Sequence, residues 1–339
     1  MKICYLIDNI NPEHGGGRYT GDLISAVKKE GHDVVVLEVD SILDAIKVRK
    51  YFKNCDIIHA IDGYPYGIIA ALANIGLNKK LVITVQGTYA VAPLYSFSKV
   101  VLVKWAYRKA DKIIAISQYT KKEILKKINV QTIKVINHGI YFNKLYKEPI
   151  ESEEKFILSV GALKYRKGYH ISIPAFAMAK KEIPDLKYKI ISGYKDEAYF
   201  RELKNLVAQY GVERDIEFLS DLSDELRNEL YSKAKLFILT SVNENHHFEG
   251  FGLVFLEAAA AGLPVIGTLD NGIEDAVKNN FNGILVPQND IKAVAGALLK
   301  ILNNEQLRKE LSLNSFSWAR DHDWSKVCAE YIKVYQNLI

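Results

Sequence analysis

Apolar runs of strand length alternate with amphipathic helical stretches from one end of this 339-residue chain to the other. The first half offers strands at about 2–8, 33–39, 56–60, 81–85, 112–117 and 133–136, with helical spacing between them, as in 18–30 and 94–110. Strands regularly separated by helices predict a parallel sheet covered on both faces. The pattern breaks at 143–155, a polar stretch containing Pro149, and restarts with Phe156-Ile157-Leu158-Ser159-Val160-Gly161. Further strands follow near 187–192, 215–219, 235–240, 264–267 and 283–286, and then three helices with no strand between them, at 290–303, 305–320 and 323–338. The chain is too long for one hydrophobic core. The expected fold class is therefore α/β: two Rossmann-like, doubly wound halves and a helical tail, divided as 1–148, 149–322 and 323–339. Ligands of such sheets bind at the carboxyl ends of the strands, and a cleft between two such domains is the natural place for them.

Charge separates the halves. Residues 1–150 carry 22 Lys and Arg against 13 Asp and Glu, a net of +9 within a total of +5. A basic first half suggests an anionic partner there, either a lipid surface or a phosphorylated acceptor. Nucleic acid is not expected, because no nucleic-acid motif accompanies the charge. No run of 18 apolar residues suggests a membrane span, and the N-terminus lacks the apolar core of a secretory signal. Cys4, Cys55 and Cys328 have no metal-like spacing, so a reducing, cytoplasmic setting is expected, with peripheral contact at the inner face of the membrane as a variant.

The densest chemistry lies in Glu249-Gly250-Phe251-Gly252-Leu253-Val254-Phe255-Leu256-Glu257, followed by four alanines and Gly262. A strand leads into a polar loop and then a glycine-flanked helix start. Unpaired N–H groups and the positive end of the helix dipole favour an anion there, and Gly250 and Gly252 let the backbone approach it. Glu257 lies about 8 Å along the helix axis and leans back toward the N-terminus. Its carboxylate can accept from two neighbouring hydroxyls, as a ribose offers. Glu249 sits before the helix, where it can hold sugar hydroxyls.

These two glutamates, with seven residues between them, resemble the signature of the family 4 retaining glycosyltransferases with the GT-B fold. The resemblance covers nearly the whole chain. It includes the Gly15-Gly16-Gly17 loop, His59-Ala60-Ile61-Asp62, Ala110-Asp111-Lys112, Asn137-His138-Gly139 and Gly161-Ala162-Leu163-Lys164-Tyr165-Arg166-Lys167-Gly168. It implies that Glu257 binds the donor ribose, Glu249 the transferred sugar and Lys167 the diphosphate. Gly161, Gly193, Gly250, Phe251, Gly252, Leu253 and Val254 would line the donor site. Gly15, Gly16, Gly17, His59, Asp62 and Gln86 would form the acceptor and diphosphate side. Trp324 would open a last helix returning to the first domain. The implied activity is metal-independent, cofactor-free transfer of a hexosyl group, with retention, from a nucleotide diphosphate sugar. UDP is favoured over GDP, and the acceptor would be a glycan or lipid-linked molecule of cell-envelope polysaccharide or glycoconjugate synthesis.

Two departures stand out. Ala162 occupies the place where the family usually has a phosphate-binding arginine, and Arg166 is the nearest replacement. Gln86-Gly87 stands where the family often has His-Gly, and glutamine cannot titrate. These features leave room for a non-catalytic nucleotide-sugar-binding subunit, and the fold also serves nucleotide-sugar epimerases. His59 reads equally as a buried, hydrogen-bonded residue. His246-His247 is a poor metal site because adjacent side chains diverge, and Asp321-His322-Asp323 reads as helix capping. Residues 99–109 read as a packed helix or as a membrane-facing one.

Overall fold

The computed structural model describes residues 1–8, 15–146, 150 and 154–339. The chain divides into two compact units, Met1–Gly139 with His322–Ile339, and Ile140–Asp321. The first division thus falls between Gly139 and Ile140, ahead of the polar stretch at 143–155. Of that stretch, residues 147–149 and 151–153 lie outside the described residues.

The first unit holds β1 (Lys2–Ile7), β2 (Asp33–Glu38), β3 (Ile57–Ile61), β4 (Lys80–Val85), β5 (Lys112–Ala115) and β6 (Ile133–Val135). They pair in parallel in the order β2-β1-β3-β4-β5-β6. β3 is buried along its whole length and β1 along all but its first residue. That is why these segments read as continuous apolar runs: both faces of a parallel sheet are covered by helices. The glycines 15–17, expected in a loop, form the first turn of the helix Gly15–Lys29. The helix expected over 94–110 is shorter, Val100–Lys109, because a 3₁₀ turn containing Pro93 precedes it at Ala92–Tyr95.

The C-terminal helix Trp324–Gln336 belongs to this first unit and is tied to it by a buried polar network. Asp323 caps it, accepting from the Ser325 amide at 2.9 Å. The Tyr335 hydroxyl bonds Tyr5 at 2.9 Å and His59 Nδ1 at 2.7 Å. Tyr331 bonds Tyr19. The Trp324 ring fills the space that a Cβ on Gly139 would enter, at 2.7 Å.

The second unit holds β7 (Phe156–Val160), β8 (Lys187–Ile191), β9 (Ile216–Leu219), β10 (Leu236–Ile238), β11 (Val265–Thr268) and β12 (Gly283–Val286), in the order β12-β11-β10-β7-β8-β9. Its order reverses between β7 and β10, where Leu236 stands beside Ile157 and Phe237 beside Leu158. Chain leaving those two strands must diverge to opposite faces, which opens a crevice at their carboxyl ends. In the first unit the reversal lies between β1 and β3. A six-stranded parallel sheet with helices between its strands, one in each unit, is the α/β architecture expected from the alternating pattern.

Candidate functional site

The loops leaving β7 and β10 carry the charged residues singled out from sequence. After β7 the chain makes a single 3₁₀ turn, Tyr165–Lys167, and enters the helix Tyr169–Lys180 through Gly168 at φ 73°. The turn is pinned to the end of β10: the Thr240 hydroxyl donates to the Gly168 carbonyl at 2.7 Å, and the Val242 amide donates to the Arg166 carbonyl at 2.8 Å. Arg166 and Lys167 are thereby held against the loop after β10.

That loop folds back between Glu244 and His247, whose backbones exchange two hydrogen bonds of 2.9 Å. It then presents Glu249. Its carbonyl accepts from the Gly272 amide at 2.8 Å, a contact that only glycine at 272 permits, since a Cβ there would lie 2.0 Å from the Gly250 oxygen. The Glu249 carboxylate takes Lys167 Nζ at 2.6 Å, Arg166 Nη1 at 3.1 Å and the Ser241 hydroxyl at 3.4 Å, all through Oε2. Arg166 Nη1 also reaches the Phe248 carbonyl at 3.3 Å. Burial works against charge on Glu249, but the two cations outweigh it and hold its pKa down to about 2. Glu249 is therefore a permanent carboxylate, unfit as a proton donor near neutrality. The triad keeps one positive charge in excess, which suits an incoming anion.

Beyond Glu249, Gly252 adopts φ 86° and starts the helix Leu253–Ala260. The alanines favour the helix. It ends where Gly262, at φ 73°, sends its amide to Ala259 and Leu263 sends its amide to Ala258, a glycine-terminated helix end. The amides of Leu253 and Val254 have no helical carbonyl a turn earlier to bond, and both side chains are half-buried. Glu257 is 5% exposed, and the Tyr231 hydroxyl donates to its Oε2 at 3.3 Å. Gly161 runs beside Lys167, whose Cε would sit 3.7 Å from a Cβ at 161, while Gly193 is exposed with open space around it. Phe251, expected to line the donor site, is buried as a whole residue, 1% exposed.

In the first unit the expected residues separate. His59 is fully buried, its Nε2 bonded to Thr84 at 2.8 Å and its Nδ1 to Tyr335. Burial pushes its pKa down to about 3, so it is a neutral packing residue rather than a substrate contact. Asp62 has φ 88° and accepts from the Gln86 amide at 3.0 Å. Burial raises its pKa to about 7, against the pull of the Gln86 and Gly63 amides. Gln86 is half-buried, and its Oε1 lies 3.6 Å from where a Cβ on Gly16 would stand. Gly16, Gln86 and Asp62 are thus brought together at the helix start, while His59 lies behind them.

Among the described residues no three His, Cys, Asp or Glu side chains gather as a metal-ligand group, and His246 and His247 are exposed. Sequence reasoning missed Thr240, Ser241 and Gly272, which build the site without resembling chemistry, and gave Gly168 no role beyond the family resemblance. The position of Thr240-Ser241 just past β10 was the available signal.

Comparisons with known proteins give the family and the fold. The family profile described as glycosyl transferases group 1 matches residues 143–318, more than half of the chain, and that of glycosyltransferase family 4 matches residues 38–143. An uncharacterised glycosyltransferase of Methanocaldococcus jannaschii is 29% identical over 303 residues, covering 88% of this chain and 81% of that protein. The N-acetyl-alpha-D-glucosaminyl L-malate synthase of Bacillus anthracis is 27% identical over 300 residues, 85% of this chain and 76% of the relative. Among solved structures, Anabaena Alr3699/HepE in complex with UDP-glucose superposes with a TM-score of 0.81 at 19% identity over the whole of both chains. WaaG, a glycosyltransferase involved in lipopolysaccharide biosynthesis, gives 0.73 at 17% identity over 98% of this chain and 99% of its own. These likenesses show the GT-B fold.

Proposed function

This chain belongs to the group 1 glycosyl transferases, and from that premise we propose that it moves a hexosyl group, with retention and without a metal, from a UDP-sugar to a glycan or lipid-linked acceptor. The observation that carries the reading is the cluster of Arg166 and Lys167 on Glu249 beside the glycine-flanked helix start. Breaking the bond between the sugar C1 and the diphosphate oxygen leaves the electron pair on the diphosphate, while the acceptor hydroxyl oxygen bonds C1 and its proton passes to the departing diphosphate oxygen. Lys167, Arg166 and the Leu253 and Val254 amides would balance that growing charge. When the diphosphate takes up the two cations, the Glu249 carboxylate is released to accept hydroxyls of the transferred sugar. Glu257 would hold the ribose, in place of its bond to Tyr231. The UDP preference is supported by the UDP-glucose complex of the HepE neighbour. The acceptor would lie with the first unit, around Gly16, Gly17, Gln86 and Asp62.

Incubation with UDP-hexoses in the presence of a chelator tests the proposal. Release of UDP that depends on an added acceptor is the expected result. Tight UDP binding with no release from any nucleotide sugar would instead mark a binding subunit, the reading that Ala162 and Gln86 favour. Activity abolished by chelation and restored by magnesium or manganese would overturn metal independence.

A further inference from the structure

The turn that carries Arg166 and Lys167 is held at its exit by the bond between Thr240 and Gly168. Its entry is Tyr165, the first residue of the turn. The Tyr165 ring is 46% exposed, yet it lies flat on the His170 imidazole, with centroids 4.2 Å apart and planes 18° from parallel. His170 stands in the first turn of the helix Tyr169–Lys180 and is itself fixed. The Tyr199 hydroxyl accepts its backbone amide at 3.1 Å and bonds its ring Nδ1 at 2.8 Å, so one hydroxyl holds the residue at two points. Tyr199 is buried in the helix Glu197–Gln209, and its ring stands at a steep angle to both neighbours, 5.9 Å from His170 and 5.8 Å from Tyr165. Its place is set from the loop after β8. Asp196 accepts the Tyr199 amide at 3.0 Å, and the Asp196 amide donates to the Leu163 carbonyl at 2.9 Å. Chain leaving β8 thus reaches the turn leaving β7 through three aromatic rings. Burial lowers the His170 pKa, so the ring adds no further charge to the cationic pair that follows Tyr165.

We propose that Tyr165, His170 and Tyr199 form a positioning stack that aims Arg166 and Lys167 at the diphosphate of the donor, acting through the turn rather than by contact with the ligand. The proposal rests on the transferase reading for what the two cations meet. A single 3₁₀ turn has too few hydrogen bonds of its own to keep its shape. Arginine and lysine are long and rich in rotamers, so the direction of the backbone beneath them decides whether both converge on one anion. The contact with Thr240 fixes only the exit of the turn. With the entry loose, the turn could rotate about Gly168 and splay Arg166 away from Lys167. A tyrosine that served only the solvent-facing surface would not need a platform held at two points by a buried hydroxyl. Stacked aromatic pairs are worth enough to change an affinity by about tenfold at most, and that is the ceiling on what loss of the stack can remove.

Calorimetric titration of the full chain with UDP and, by displacement, with uridine tests it, since the two ligands differ by the diphosphate alone. Tyr165→Ala should weaken UDP about tenfold and leave uridine within about twofold of the parent. Tyr199→Phe keeps the ring and loses the hydroxyl. It should weaken UDP about fivefold, again sparing uridine. Tyr165→Phe keeps the stacking face and should match the parent. Retained uridine binding reports that each variant is folded. An unchanged preference for UDP over uridine in both Tyr165→Ala and Tyr199→Phe overturns the proposal. So does an equal loss of the two ligands, which marks a general loosening of the unit, or a Tyr165→Phe variant as weak for UDP as Tyr165→Ala. A parent that binds UDP no better than uridine would defeat the transferase reading, and the positioning role with it; a parent with a clear preference that the variants leave untouched would defeat the positioning role alone.

Discussion

Gly168 and Thr240 are in backbone contact so close that a Cβ on Gly168 would lie 1.8 Å from the Thr240 carbonyl oxygen. This contact fixes the turn bearing Arg166 and Lys167 against the strand end that leads to Glu249. Gly168→Ala meets both that clash and a left-handed φ of 73°. We expect it to cost about 3 kcal/mol of stability and to remove most activity, since the two cations leave Glu249. Urea unfolding measures the first and UDP release the second. A variant within about 0.5 kcal/mol of the parent would show that the turn relaxes freely.

Glu257→Ala should weaken binding of bare UDP, by about 1.5–3 kcal/mol for each ribose hydrogen bond lost to the carboxylate. Glu249→Ala should leave UDP binding nearly intact and depress turnover, because its partner is the sugar. Calorimetry with UDP and a steady-state assay separate the two, and equal losses of UDP affinity would defeat this division of labour.

Arg166→Ala should lower kcat/KM about 100-fold, close to 2.7 kcal/mol of transition-state stabilisation. Arg166→Lys should recover only part, because a point charge lacks the planar fork. The guanidinium already bonds both Glu249 and the Phe248 carbonyl, so it is placed where the missing arginine at Ala162 is not. A loss below about threefold, with Lys167→Ala severely impaired in the same assay, would remove Arg166 from the mechanism.

Two buried carboxylates should give opposite pH responses. Glu249 is depressed from 4.5 to about 2, so its contribution is complete above pH 4.5 and is lost as pH falls toward 2. That loss amounts to about 3 kcal/mol. Asp62 is raised from 3.8 to about 7, so the folded state holds the extra proton and stability declines as pH rises from 3.8 to 7. Asp62→Asn keeps an acceptor for the Gln86 amide and should abolish that decline. Glu249→Gln should abolish the acid loss. Unfolding free energies across pH 3–8 decide both, and an Asp62→Asn profile parallel to the parent would contradict the assignment.

Much of the architecture was legible because period and composition are local properties. Each strand of both sheets was read to within about two residues, since a parallel strand buried on both faces leaves a continuous apolar run. Glu249, Gly252 and Glu257 were legible because helix start, alanine run and Gly262 stop fall in one short segment. The helix over 94–110 was read too long because the Pro93 turn interrupts a stretch whose apolar spacing continues through it.

Residue type and spacing by themselves determined that the chain is two doubly wound α/β halves with a carboxylate-rich, glycine-flanked helix start. Pairing across long separations was decided only by the tertiary structure. Arg166 and Lys167 meet Glu249 across about eighty residues because strand order reverses between β7 and β10. His59, read as either site or packing, is packing because Tyr335, at the far end of the chain, bonds its ring. Sequence shows what each side chain can do; which partner it meets depends on strand order and on the burial that excludes water from the contact.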